Sequence, residues 1–202
     1  MVVLCDDAYH GLIYEPGLMR RSLFWELLEQ CDPEKVAPIR VDGATKELLF
    51  FPGRVGFLTF GAPKAAEDAL LSKVKYLGRG TVGSPPGPSQ AMALAALQSP
   101  DLEAQLQERH ALLAARYRQL KQSLDMRQQV PWTRYPFNAG CFALVGVPAQ
   151  ADVHAARHRL IERGVGTIAI PEAHALRIAH CSLDVELVDE VVATIAVEIL
   201  AC

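Results

Sequence analysis

Residues 101–126 constrain the fold more than any other stretch of this chain. Leu102, Leu106, Leu113, Tyr117, Leu120 and Leu124 recur at helical spacing. Ser99 and Pro100 stand ahead of them as a cap and a first-turn proline. At the α-helical rise such a segment is roughly 39 Å long. A helix of that length is expected to bridge two domains. A boundary near residues 98–101 follows, with one domain over 1–98 and a second, carrying the long helix, over 99–202.

On both sides of it, strand-like and helix-like segments alternate, which is the pattern of α/β architecture. Before the long helix, strands are expected at 2–5, 36–41 and 54–60, and helices at 22–30, 63–76 and 89–97. After it come a strand at 141–147, a helix at 152–163 stopped by Gly164, strands near 167–170 and 176–181, and a last helix. Half the residues are hydrophobic and 21% are charged, so the chain has globular rather than disordered composition. A net charge of −3 leaves no basic surplus for nucleic acid or an anionic membrane surface. No apolar run approaches the ~20 residues of a membrane span. No charged leader precedes the first strand, so no secretory signal is expected. The five cysteines are dispersed with no C-x-x-C pair, which argues against a disulfide framework or a zinc ribbon. A reducing, cytoplasmic setting is expected.

Two motifs are set aside on context. Gly78-Arg79-Gly80-Thr81-Val82-Gly83 spells G-x-G-x-x-G, but it follows a helix and runs into Ser84-Pro85-Pro86. A dinucleotide fingerprint must follow a strand and open a helix. His154 and His158 form an i, i+4 pair, yet Ala155-Ala156-Arg157 lie between them and no glutamate base is present. No metal site is expected there.

A third group of residues is more informative. Asp6-Asp7-Ala8-Tyr9 closes the first strand, and Asp42-Gly43-Ala44-Thr45 leads to Lys46. Arg54 stands eight residues beyond Lys46, and Arg177 lies in a late apolar strand. Each residue taken alone has a plain structural reading. Asp6 can cap a turn, Tyr9 can be a half-buried aromatic, and Arg177 can serve a salt bridge.

In this order and spacing, however, D-x-x-Y, the lysine, R-x-G and the late R-I strand resemble the class I/II aminotransferases. The Ser-Pro-Pro turn and the long helix belong to the same likeness. It implies a fold type I pyridoxal-phosphate enzyme that transfers an amino group between an amino acid and a 2-oxo acid. Lys46 would form the Schiff base with pyridoxal 5'-phosphate and shuttle the proton at the substrate α-carbon. Asp6 would pair with the ring nitrogen, and Tyr9 would donate to the ring oxygen. Arg54 would clamp the phosphate, and Arg177 would bind the substrate α-carboxylate. Arg79, six residues before Pro85, would reach the neighbouring subunit of a homodimer and bind a side-chain carboxylate. A surface arginine on a glycine-rich loop is the alternative for it.

This sequence departs from the family pattern at two points. Gly43 occupies a position that often carries a phosphate-binding serine, so Thr45 would supply the hydroxyl. Family members also run to roughly twice this length, which makes the chain the C-terminal half of the large domain plus the small domain. Two other readings share the same residues. One is a lyase or decarboxylase on this scaffold, and the other is the aminotransferase-like effector domain of a transcription regulator.

Overall fold

A computed structural model describes residues 1–201. The chain divides into two compact units, Met1–Gln107 and the remainder from Glu108 onward.

In the first unit β1 (Val2–Asp6) and β2 (Ala37–Gly43) run parallel, with Asp6 opposite Val41. A parallel pair needs a crossover connection, and α1 (Leu23–Gln30) lies in it, packed on β2. Ser22 Oγ accepts the N–H of Phe24 at 3.1 Å and so caps α1, while the Phe24 ring is buried. β3 (Gly56–Phe60) completes the sheet antiparallel to β2, with Gly43 opposite Gly56. Between β2 and β3 the chain makes one helical turn, α2 (Ala44–Glu47), and a 3-10 turn at Phe51–Gly53.

Two helices follow in this unit, α3 (Lys64–Thr81) and α4 (Gly87–Leu97). None of the residues of α3 is buried, and on α4 Ala93 packs with Ala44 and Val55. Val2, Leu4, Val41, Leu58, Tyr76 and Leu77 are all exposed, so the unit carries a wide uncovered apolar surface.

The second unit is a four-stranded antiparallel sheet in the order β4-β5-β7-β6. Its strands are β4 (Thr133–Arg134), β5 (Ala143–Gly146), β6 (Ile168–Ile170) and β7 (Ala175–Ile178). The C-terminal part of α5 (Leu102–Asp125), together with α6 (Val153–Glu162) and α7 (Val188–Leu200), completes the unit. Leu120, Val145, Leu160, Leu176, Val192 and Ile195 form its closed core. The buried Glu198 of α7 meets Arg159 at 2.7 Å and Arg163 at 2.6 Å, so its charge is matched.

Several boundaries differ from the sequence expectation. α3 runs on to Thr81 rather than stopping at residue 76. The Thr81 hydroxyl donates to the Leu77 carbonyl at 2.8 Å, and the N–H groups of Val82 and Gly83 both close on Gly78 O. Gly83, at φ +79°, then ends the helix as a left-handed stop. The late strand ends at Ile178, and His180–Ser182 is a 3-10 turn. The two-residue strand β4 was not foreseen. Among the described residues no helix is long and apolar enough to cross a membrane.

Candidate active site

The site is built where β2 leaves the sheet and β3 enters it. A Cβ on Gly43 would stand 2.8 Å from the Val55 carbonyl oxygen and 3.3 Å from Gly56 Cα. The two strands approach too closely there for any larger residue. Packing therefore accounts for glycine at the position where a serine was looked for. Ala44 N–H donates to Val55 O at 3.1 Å, and Ala44 O accepts from Leu48 at 3.2 Å and Phe50 at 3.0 Å. Ala44 is thus the buried anchor of α2, with Thr45 and Lys46 half-buried after it. The turn foreseen around Lys46 is this short helix.

Arg54 follows the 3-10 turn with φ at 52°, so it precedes β3 rather than lying in it. Left-handed backbone at a non-glycine residue costs on the order of 1 kcal/mol. The exposed Arg54 guanidinium donates to Phe51 O at 3.2 Å.

Thr45, Lys46 and Arg54 share the wall of one cavity of about 270 Å³, together with Asp42, Gly43 and Ala8. Ala8 comes from the turn after β1, which backbone bonds hold in place. Asp7 N–H reaches Val41 O at 2.8 Å, and Leu12 N–H reaches Tyr9 O at 3.1 Å. Lys46 Nζ stands 5.6 Å from the centre of the Tyr9 ring, within cation–π range. Asp6 Oδ1 accepts the N–H of Ala8 at 3.1 Å, and its exposed carboxylate lies outside the cavity lining. A second, mostly apolar cavity of about 760 Å³ shares Arg54 and is lined further by Ser84, Pro85, Pro86, Leu94 and Leu97.

Sequence reasoning missed the polar trio beside the smaller cavity, which Asp42 lines. Arg40 Nε meets Asp7 Oδ2 at 2.6 Å, and its Nη2 meets Asp42 Oδ2 at 2.7 Å. Strand alternation carries the signal, because residues 40 and 42 of β2 share a face.

The remaining predicted residues lie elsewhere. Arg177 belongs to the second unit, on β7 between Leu144 and Ile168. Its guanidinium carbon stands 4.3 Å over the Phe142 ring, and no carboxylate among the described residues pairs with it. Arg79 is exposed on the last turn of α3, not on a loop, and lines neither cavity. The G-x-G-x-x-G run therefore sits at a helix C-terminus, where the dipole repels a phosphate. His154 and His158 are exposed on α6, and no cluster of three metal-binding side chains occurs among the described residues.

The profile of the family "Aminotransferase class I and II" matches residues 1–195. No curated protein matches the chain in sequence. Among solved structures, LysN, an alpha-aminoadipate aminotransferase of Thermus thermophilus, superposes with a TM-score of 0.81 at 21% identity. All of this chain is covered, and 50% of that one. An archaeal alanine:glyoxylate aminotransferase gives a TM-score of 0.78 at 20% identity, over 97% of this chain and 47% of that one. A kynurenine aminotransferase of Pyrococcus horikoshii gives 0.78 at 19% identity, over 99% and 48%. The chain thus spans about half the length of the structures it resembles.

Proposed function

The chain belongs to the class I and II aminotransferases and has their fold type I architecture, and from that premise we propose that it forms the C-terminal portion of a pyridoxal-phosphate-dependent aminotransferase. Such an enzyme moves an amino group between an amino acid and a 2-oxo acid. The observation that carries the reading is the shared cavity of Thr45, Lys46 and Arg54, two cations and a hydroxyl around one small space.

The donor set fits a phosphorylated pyridine aldehyde. When bound, that cofactor supplies an aldehyde that captures amines and a ring that accepts electrons. Lys46 would hold the aldehyde carbon through its amine and would take and return the proton at the substrate α-carbon. Arg54 binds the phosphate through its planar fork, and Thr45 adds a hydroxyl donor. The Asp6 carboxylate lies outside the cavity lining and would have to turn toward it to pair with the ring nitrogen and keep a proton there. Tyr9 donates to the ring oxygen and lies against Lys46. Arg177, whose guanidinium carbon stands 4.3 Å from the centre of the Phe142 ring, would take the substrate α-carboxylate in a bidentate pair. Arg79 is assigned to a carboxylate on the substrate side chain. LysN in the matching structure is complexed with N-(5'-phosphopyridoxyl)-L-leucine, which supports the same cofactor class here. The reading extends to a homodimer and to a reducing cytoplasm.

Borohydride reduction in the presence of pyridoxal phosphate, followed by peptide mapping, tests the assignment. The pyridoxyl group is expected on Lys46. Its appearance on Lys64, Lys73 or Lys75 instead would overturn the reading.

A further inference from the structure

Arg40 stands at the centre of a well-shielded ionic cluster in the first unit. The side chains of Arg40, Asp7 and Asp42 retain only 15%, 15% and 11% exposure. Both carboxylates converge on a single guanidinium, whose fork suits two acceptors at once. A clasp between β1 and β2 does not explain this arrangement. The ladder that pairs Asp6 with Val41, and the 2.8 Å bond from Asp7 N–H to Val41 O, already join the strands at this point.

The position of Asp42 offers an explanation. Asp42 lines the same cavity as Lys46 and Arg54, the two cations assigned to the cofactor. A carboxylate on a lining residue, if it turned to the cavity, would act against a phosphate in two ways. It would repel the incoming anion, and it would compete for both cations. Arg40 answers both, because it engages the Asp42 oxygen and offsets part of the local negative charge.

We propose that Arg40 is a positioning residue that holds the Asp42 carboxylate off Lys46 and Arg54, and so keeps the cavity able to accept a phosphate ester. The proposal rests on reading the cavity as the cofactor site.

The test uses the whole 202-residue chain. Pyridoxal phosphate is titrated by the absorbance of its lysine adduct, with folding followed by circular dichroism. In Arg40→Met, Asp42 loses its partner and affinity is expected to fall roughly tenfold or more, from one uncompensated charge near the phosphate. Adding Asp42→Asn to Arg40→Met is expected to restore most of that affinity, although the bridge is absent from both variants. A double variant as weak as the single one would show that Arg40 only clasps the strands. Unchanged affinity in Arg40→Met would also overturn the proposal. If Arg40→Met fails to fold, Arg40→Lys keeps a cation that engages one carboxylate at a time. It should then show a smaller loss that Asp42→Asn again reverses, and no loss would refute the idea. Inorganic phosphate, followed by phosphorus NMR, separates this question from the functional reading. If the wild type forms no adduct on Lys46, that reading fails. Phosphate still ranks the variants in the same order if the charge argument holds, and binds them alike if it does not.

Discussion

At the scale of single residues, His180 shows how burial sets chemistry in this chain. Its ring has no exposed surface and packs 6.2 Å from Tyr117 and 6.4 Å from Phe137, centre to centre. Burial, with Arg116 nearby, lowers its pKa from 6.5 to about 4. Above pH 6.5 the imidazole is neutral in folded and unfolded chain alike. Between 6.5 and about 4 only the unfolded chain takes up the proton, so stability falls as the pH drops through that window. The full loss from this group is about 3 kcal/mol. Denaturant unfolding of the second unit should therefore weaken between about pH 7 and pH 5 by more in the wild type than in His180→Gln. Equal slopes for the two proteins would mean that His180 titrates normally. The residues read from sequence as a site divide along the same physical line. Thr45, Lys46 and Arg54 could be recognised because their order along the chain survives folding. Arg40 was only half legible: alternation along β2 puts it on the face of Asp42, but Asp7 reaches it only when β1 and β2 pair.

At the scale of elements, periodicity made most of the fold legible before any coordinate. The helical repeat from Leu102 to Leu124 became α5, and the apolar runs around Val145 and Leu176 became paired strands. What escaped were features decided by hydrogen bonds rather than by pattern. The single turn of α2 depends on the Ala44 carbonyl gathering two N–H groups, and α3 outruns its pattern because Thr81 and Gly83 settle its end. That last correction bears on Arg79. A side chain on the final turn of a helix is held with less freedom than one on a glycine loop, so its contribution to selectivity should be sharp. In a full-length enzyme, Arg79→Ala is expected to lower kcat/KM roughly tenfold or more on aspartate or glutamate and little on neutral amino acids, the range for removing a charged hydrogen bond. A similar loss on both classes would make Arg79 a structural residue.

At the scale of the whole molecule, the second unit closes around its core and the first does not. Val2 is 65% exposed, Leu4 69% and Tyr76 80%, and β1 and β3 are both sheet edges. An open edge beside a bare apolar face is a template for association. These 202 residues alone are accordingly expected to self-associate and to hold pyridoxal phosphate weakly. Gel filtration with an absorbance scan checks both points. A monodisperse monomer that retains stoichiometric cofactor would show that the cavity around Lys46 is sufficient as it stands. The left-handed backbone at Arg54 bears on that retention. Glycine there would relax the main chain and give up the guanidinium. Under the proposed role, that arginine exchanges backbone comfort for grip, so Arg54→Gly should raise the stability of the first unit while weakening its hold on phosphate.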